Sequence, residues 1–391
     1  MKIIQIIASI FDENSGPSYS VKRLCEELEV SNKVELLTFS KEAYPIIKSN
    51  QKLKIIEYHK QFPLSYRSKK LGSSKKLRKY LQVKIKDKSI NIIHSHAMWH
   101  IIATYPGNLL KYNDYKIVTS PRGTLSRIAL DDKKFIKVIF WYLFLYLPIN
   151  KTHCFHATSH QEYLDIRNKG FKQPVAIIPN GIDIPKIIKK KCIMNKRYIT
   201  FIGRIDKIKG LENLLNAWKQ VHKKFDNWHL KIIGTDMSYN KKSNYLYKLK
   251  RLSIELNLIN IDFIDPLYGE EKLQELADSD IMVLPSLSEN FGMTVAESLS
   301  VGTPVITTNR TPWHEIFEKK SGWCIDVGVK PMVECLENVL LLDRDKLENM
   351  GKNGIEWMKN DYSWHSVAKK FLLTYKWLLN PTKNHQWIIT K

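Results

Sequence analysis

Ile281-Met-Val-Leu284-Pro285-Ser-Leu-Ser-Glu289-Asn-Phe-Gly292-Met-Thr-Val-Ala-Glu297-Ser-Leu-Ser-Val-Gly302-Thr-Pro304-Val-Ile306 reads as a strand, a loop and a helix. Four apolar residues stopped by a proline make a buried strand, Glu289-Asn-Phe-Gly292 makes the loop, and Thr294 to Ser300 makes a short helix ended by Gly302. A loop opening into a helix offers unpaired backbone N–H groups and the positive end of the helix dipole, which favours an anion such as a phosphate. Like charge keeps Glu289 and Glu297 off that anion. They suit hydroxyls, which a sugar and a ribose present. The bland reading is an ordinary strand-to-helix loop with two solvated glutamates, because isolated short motifs are weak.

The same alternation surrounds this stretch. Tyr198 to Ile202, Trp228 to Ile233, Asp262 to Ile264, Ile281 to Leu284 and Pro304 to Thr307 read as strands, with a helix from Leu211 to Phe225. Such a pattern predicts a parallel, doubly wound sheet with ligands at the C-terminal ends of its strands. Arg204 and Lys209 follow the first of these strands. Two cations and a helix N-terminus converging on one edge would make a diphosphate site; the alternative is a pair of solvated loop charges.

The first half repeats the plan. Lys2 to Ser9, Val34 to Thr38, Leu53 to Tyr58, Ile90 to Ser95, Lys116 to Ser120, His156 to Thr158 and Val175 to Ile178 read as strands, and a turn-rich loop holding Gly16 leads into a helix through Leu28. His94-Ser-His96-Ala-Met-Trp99 and Ser120-Pro-Arg122-Gly123 fall just after strands. The histidines lack the carboxylate or cysteine partners expected of a zinc site. His96 is either a neutral imidazole bonded to a ligand hydroxyl or a structural histidine. Asn180-Gly181 is a turn, and the lysine-rich, aperiodic Ile187 to Arg197 that follows places the division near it. The predicted organisation is a domain over 1–185, a linker over 186–197, a second domain over 198–360 and a terminal segment over 361–391.

With 391 residues the chain exceeds the ~250–300 at which one core stops growing, so two domains are expected. Five scattered cysteines, Cys25, Cys154, Cys192, Cys324 and Cys335, never form a Cys-x-x-Cys pair, which suggests a reducing compartment and no structural zinc. The apolar start is broken by Gln5 and lacks a cleavage site, so it reads as a strand of a cytoplasmic protein. The net charge of +23 is concentrated in residues 1–185, where 30 Lys and Arg face 15 Asp and Glu. Arg67 to Lys88 holds ten basic residues and one acidic, and Leu77, Leu81 and Ile85 recur every four, which predicts a helix with a basic face. That face suits anionic lipid, nucleic acid or solvent alone. Phe135 to Leu147, followed by Pro148, is too short to span a bilayer. It is either a core helix or one that dips into the membrane interface beside the basic helix, as a peripheral protein would.

Gly203-Arg204…Lys209-Gly210, Glu289 and Glu297 with Phe291-Gly292 between them, Gly302-Thr-Pro-Val305, Pro179-Asn-Gly-Ile-Asp183, Ser95-His96-x-x-Trp99 and Ser120-Pro-Arg122-Gly123 together resemble the retaining glycosyltransferases of family 4, colinearly from Met1 to about Tyr375. The resemblance is closest to bacterial enzymes of O-antigen, capsule, lipopolysaccharide and other envelope polysaccharides. It implies the GT-B architecture, an α/β fold with two Rossmann-like domains facing across a cleft, the first for the acceptor and the second for the donor, and a last helix crossing back onto the first. The implied activity is retaining transfer of a hexose from a UDP- or GDP-linked donor to a hydroxyl of a lipid-linked or oligosaccharide acceptor, at the inner face of the cytoplasmic membrane. The nucleotide sugar is a substrate; neither a cofactor nor a metal is implied.

By position, Arg204 and Lys209 would hold the diphosphate, Glu297 the ribose hydroxyls and Glu289 the hydroxyls of the transferred sugar. Backbone amides of Phe291, Gly292 and Met293 would support phosphate and sugar, His96 would face the reacting carbon, and the Gly16 loop would approach both substrates. Arg122 and Trp99 are acceptor-side candidates. The first loop departs from the family by carrying Ser15-Gly16 where two glycines are usual, and Phe263-Ile-Asp265 replaces a Phe-x-Gly, which leaves the base-reading loop open. Two other functions share the plan: a sugar-nucleotide epimerase, which needs no acceptor, and a non-catalytic sugar-nucleotide binder. No nucleic-acid module is recognisable despite the charge.

Overall fold

The computed structural model describes residues 1–10, 16–40, 47–50, 53–60, 72–110, 114–126, 129–130, 134–186, 188, 190, 196–238, 241–242, 244–381 and 385–390. The Arg67–Lys70 part of the basic segment, Ser15 of the first loop, Cys192 and most of the linker over 186–197 lie outside these residues. The chain forms two compact units, Met1–Gly181 with Trp364–Lys391, and Ile182–Ser363.

In the first unit, β1 (Lys2–Ile6), β2 (Lys33–Phe39), β3 (Ile47–Asn50), β4 (Leu53–Tyr58), β5 (Ile92–His96), β6 (Lys116–Ser120), β7 (Cys154–Ala157) and β8 (Val175–Ile177) form one sheet with a last short strand, Ile388–Ile389. The order is 388–389, β8, β7, β6, β5, β1, β2, β4, β3. All pairs are parallel except β3 with β4 and the last strand with β8. Neighbouring apolar residues in one strand point to opposite faces. Ile3, Leu36, Ile92 and Val118 meet the helices Gly16–Glu29 and Trp364–Leu379. Ile4, Leu37, Ile93 and Ile117 meet Leu77, Leu81 and Ile85 of the helix Lys75–Lys86. Helices on both faces make this a doubly wound sheet.

The basic helix starts where Ser74 accepts from the Leu77 N–H at 3.3 Å, a side-chain cap on an otherwise orphan donor. The apolar stretch that sequence ends at Pro148 instead continues to Asn150, as Lys134–Phe140, a π-turn over Trp141–Leu145, and Tyr146–Asn150. Proline removes a backbone donor from a helix, and the wider turn just upstream, with the Tyr146 N–H bonded to the Trp141 carbonyl, re-registers the ladder around it. Phe140, Trp141, Leu145 and Ile149 are buried against Met98, Phe155 and Phe171. Phe135, Tyr142, Leu143 and Leu147 are each at least 67% exposed, so the helix is both a core element and an exposed apolar face. No helix of the described residues is long and apolar enough to cross a membrane.

In the second unit, β9 (Arg197–Ile202), β10 (Trp228–Ile233), a hairpin of β11 (Met237–Ser238) and β12 (Lys241–Lys242), β13 (Ile261–Ile264), β14 (Ile281–Leu284), β15 (Val305–Thr308) and β16 (Gly322–Ile325) appear in turn. Apart from the hairpin they form a parallel sheet in the order β13, β10, β9, β14, β15, β16. From β9 the chain adds strands outward on one side and then, at β14, on the other. That reversal is where an open sheet of this kind opens a crevice beyond its strand ends. The residues after β9 and after β14 therefore share one edge.

Candidate functional site

Ile202 ends β9, and the chain then makes a single 3-10 turn, Lys207–Lys209, capped where the Asp206 carboxylate accepts from the Ile208 N–H at 3.1 Å. Gly210 follows at φ +67°, in the left-handed region, and starts the helix Leu211–Val221. The Leu287 N–H donates to the Ile208 carbonyl at 2.7 Å, and the Glu289 N–H to the Arg310 carbonyl at 3.0 Å. The loop after β14 is thus tied on one side to the loop after β9 and on the other to the loop after β15. This brings Lys209 Nζ onto the Glu289 carboxylate, with both side chains only about 15% exposed. Arg204 is exposed and stands 3.5 Å from Asp206.

Gly292, at φ +77°, caps the helix Met293–Ser300 without a side-chain bond, so the first N–H groups of that helix are left to face the loop. Phe291 is buried on Trp313, and its carbonyl accepts from the Trp313 indole N–H at 2.5 Å. Glu297 sits one turn into the helix. Lys272 Nζ donates to its Oε1 at 2.6 Å, while Oε2 has no accessible surface and no hydrogen-bond partner among the described residues. Burial pushes the Glu297 carboxyl up and Lys272 opposes that shift.

A second polar cluster lies within the first unit. Arg122 Nη2 approaches His96 Nδ1 at 3.3 Å; His96 Nε2 lies 2.7 Å from Gln5 Oε1; Gln5 Nε2 donates to the Tyr375 hydroxyl at 3.2 Å. Tyr375 meets His94 Nδ1 at 2.7 Å, His94 Nε2 meets Ser120 Oγ at 2.6 Å, Ser120 meets His156 Nδ1 at 2.6 Å, and His156 Nε2 meets the Ile178 carbonyl at 2.8 Å. The two ends assign the protons. A guanidinium only donates and a carbonyl only accepts, so every bond runs one way and all three imidazoles are neutral with hydrogen on Nε2. Arg122 Nη1 also donates to Asn180 Oδ1 at 2.5 Å.

Burial holds His94 and His96 well below the usual histidine range and His156 at about 3, with the neighbouring charges acting in the same direction. The unfolded chain takes up protons at these rings below pH ~6.5 while the native state does not, so stability falls as pH drops through that value toward the folded pKa. Chemical denaturation from pH 7.5 to 5 is expected to show little change above pH ~6.5 and, below it, a loss approaching about 1.4 kcal/mol per pH unit for each histidine that stays neutral. A flat profile would contradict the proton assignment.

Residues 14–186 match the model of Glycosyltransferase Family 4, and residues 183–357 that of Glycosyl transferases group 1. The two halves of the chain belong to glycosyltransferase domain families. An uncharacterized 41.2 kDa protein in the cps region of Klebsiella pneumoniae is 25% identical over 60% of this chain and 64% of its own length. The capsular polysaccharide biosynthesis glycosyltransferase CapM of Staphylococcus aureus is 26% identical over 52% of this chain and 51% of its own. The chain therefore spans between about half and two thirds of these relatives. Anabaena Alr3699/HepE, solved in complex with UDP and glucose, superposes with a TM-score of 0.69 at 15% identity, covering 96% of this chain and 99% of that one. At that identity the likeness shows the fold alone.

In the group 1 glycosyltransferase domain the structure brings together Lys209, Glu289, Phe291, Gly292 and Met293, with Arg204 at the rim and Glu297 in the following helix. In the family 4 domain it joins His96 and Arg122, and places Trp99 nearby through its indole bond to the Thr124 carbonyl at 3.0 Å. Gly16 begins the first helix, next to residues that are not described. Both His96 nitrogens are engaged within the domain, so a ligand hydroxyl would have to displace one of those bonds. Among the described residues, no group of three His, Cys, Asp or Glu could hold a metal ion. Lys272, Gln5, Tyr375 and Asn180 were not singled out from sequence. Only Asn180 lies in a recognised motif; the others meet their partners across long separations that carry no local signal.

Proposed function

We propose that the protein transfers a sugar from a nucleoside diphosphate donor to a hydroxyl of a lipid-linked or oligosaccharide acceptor, with retention of configuration, in the building of an envelope polysaccharide. The observation that carries this reading is the edge after β9 and β14, where Lys209 meets Glu289 beside an uncapped helix N-terminus and Glu297 presents an unpartnered oxygen. Lys209 and Arg204 hold the diphosphate, Glu297 the ribose, and Glu289 the hydroxyls of the sugar. The Lys209–Glu289 pair neutralises both groups until the donor arrives. Lys209 then turns to the phosphate, and Glu289 is left to accept from the sugar.

Breaking the bond between anomeric carbon and phosphate builds positive charge on the sugar and negative charge on the diphosphate. Cations already in place stabilise that separation. The departing phosphate takes the acceptor's proton on the same face, so no carboxylate serves as nucleophile or base. In the first domain, His96 orients Arg122, which with Trp99 forms the acceptor side. The capsule-related relatives support the polysaccharide class, and the UDP and glucose of Alr3699/HepE support the donor class. The test is a donor panel read by nucleotide release with and without an acceptor extract. Donor consumed only with acceptor supports transfer; a changed sugar released without acceptor favours an epimerase, and binding without turnover a binder.

The exposed face of residues 135–147 supports a peripheral place on an anionic membrane surface, on the inner side of the cytoplasmic membrane. It shares a side of the sheet with the basic helix: the helix Tyr105–Leu109 packs on Pro148 through Gly107, and the Tyr105 hydroxyl accepts from the Ser74 N–H at 2.9 Å. The protein is expected to float with vesicles containing phosphatidylglycerol at low salt, and Tyr142→Ser with Leu143→Ser to weaken that binding at least tenfold, about 1.4 kcal/mol. Wild-type protein that stays at the bottom of the gradient would end the membrane reading.

A further inference from the structure

We infer that Lys272, in the first turn of the helix Gly269–Asp278, is a positioning residue for nucleotide recognition: it anchors one oxygen of Glu297 and leaves the other aimed at a pair of vicinal hydroxyls. The inference rests on the donor reading above and adds a residue to it.

The geometry divides the carboxylate in two. Oε1 takes a charge-assisted bond from Lys272 Nζ at 2.6 Å, and Oε2 is buried without a donor. A buried anionic oxygen with no hydrogen bond is costly, commonly ~1–3 kcal/mol or more. A group that brings hydroxyl donors removes that cost on binding. One ammonium bond fixes the plane of the carboxylate, and the free oxygen keeps two lone pairs, which matches the two hydroxyls of a ribose.

Lys272 also favours the charged form of this carboxylate, against the effect of burial. Helix Gly269–Asp278, helix Arg344–Trp357, the π-turn Met358–Tyr362 and strands β14 and β15 all pack on helix Met293–Ser300. Among their charged groups, Lys272 is the one that acts on Glu297; Glu275 of the same helix is paired with Lys231. Burial alone favours the neutral acid, a much weaker acceptor.

A purely structural ion pair between two helices would explain the contact but not the idle oxygen. The two segments have another tie, because the hydroxyl of Thr303, just past the end of helix Met293–Ser300, donates to the Leu276 carbonyl at 2.6 Å. Removing the ammonium should therefore disturb recognition more than folding.

The test uses the full chain and calorimetric titration with UDP, GDP and their 2′-deoxy counterparts. Wild-type protein is expected to bind one ribonucleotide and to prefer it to the deoxy form. Lys272→Met should weaken the ribonucleotide at least tenfold at pH 7, shrink the ribo-over-deoxy preference to under about twofold, and weaken the deoxy form, which keeps its 3′-hydroxyl, by less. The defect should deepen from pH 8 to pH 6, because without the ammonium Glu297 takes up a proton at higher pH. Lys272→Arg should restore both affinity and preference. Lys272→Gln, which keeps a donor without the charge, should acquire the same pH dependence and serves if the methionine variant does not fold. Wild-type affinity and preference in both uncharged variants would overturn the inference, as would an equal, pH-independent loss for ribo and deoxy forms. If wild-type protein binds neither diphosphate, the donor reading itself fails.

Discussion

Lys209→Ala is expected to lower sugar transfer ~10²–10³-fold, the ~2.7–4 kcal/mol typical of removing one preorganised group from developing charge. The loss should fall mainly on kcat, because the charge on the diphosphate is larger in the transition state than in the bound donor. Stability should change little. The variant leaves Glu289 without its ammonium, but that carboxylate keeps some access to water and a bond to the Asn290 N–H at 3.2 Å. Adding Glu289→Gln tests whether the loss comes only from the unpaired carboxylate: if Lys209 acts on the phosphate, the double variant is no faster than the single one. Nucleotide release with saturating donor and acceptor, beside a thermal melt, measures both. Wild-type turnover in a folded Lys209→Ala protein would remove the diphosphate assignment.

Gly210→Ala is expected to cost at least ~3 kcal/mol of stability and to reduce transfer more than a hundredfold. Two penalties coincide at this residue. Its φ of +67° strains any L side chain by ~1–2 kcal/mol. A Cβ there would also stand 2.1 Å from the Pro285 carbonyl oxygen, which belongs to backbone and cannot rotate aside. The loops after β9 and β14 would have to part, breaking the Leu287-to-Ile208 bond and withdrawing Lys209 from Glu289. Gly203, whose Cβ would meet only the Phe201 ring at 3.5 Å, is the control: Gly203→Ala should melt near wild type. Equal melting temperatures for the two variants would show that the close approach is not needed.

Most strands were legible because their pattern is local. Val34, Leu53, Lys116, Trp228 and Ile281 each open a short apolar run bounded by turn residues, and the structure has a strand at or within a residue of each start. The strands that went unread are short or lie at sheet edges. Ile47–Asn50 has one apolar residue in four, Gly322–Ile325 opens on a glycine, and Ile388–Ile389 is a strand only because Val175 and Ala176 pair with it. Pro148 misled for a related reason: a proline ends a helix by default, and only the π-turn before it, with Gly107 packed against its carbonyl, lets this helix continue.

What the sequence alone determined is the alternation of strand and helix in both halves, the presence of two units, whose division it put at 186–197 and the structure puts between Gly181 and Ile182, and the placement of Arg204, Lys209, Glu289 and Glu297 on loops or helices after strands. These follow from steric periods of two and 3.6 residues and from glycine and proline, whose effects act within a few residues. Only the tertiary structure decided which cation meets which carboxylate: Lys209 with Glu289, 80 residues on, and Lys272 with Glu297. It also joined Gln5 to Tyr375 across 370 residues, gave the three histidines their tautomers, and turned half of the helix at 134–150 outward. Strand order and helix packing set those meetings, and a one-dimensional period carries no record of which distant side chains the folded sheet brings to one edge.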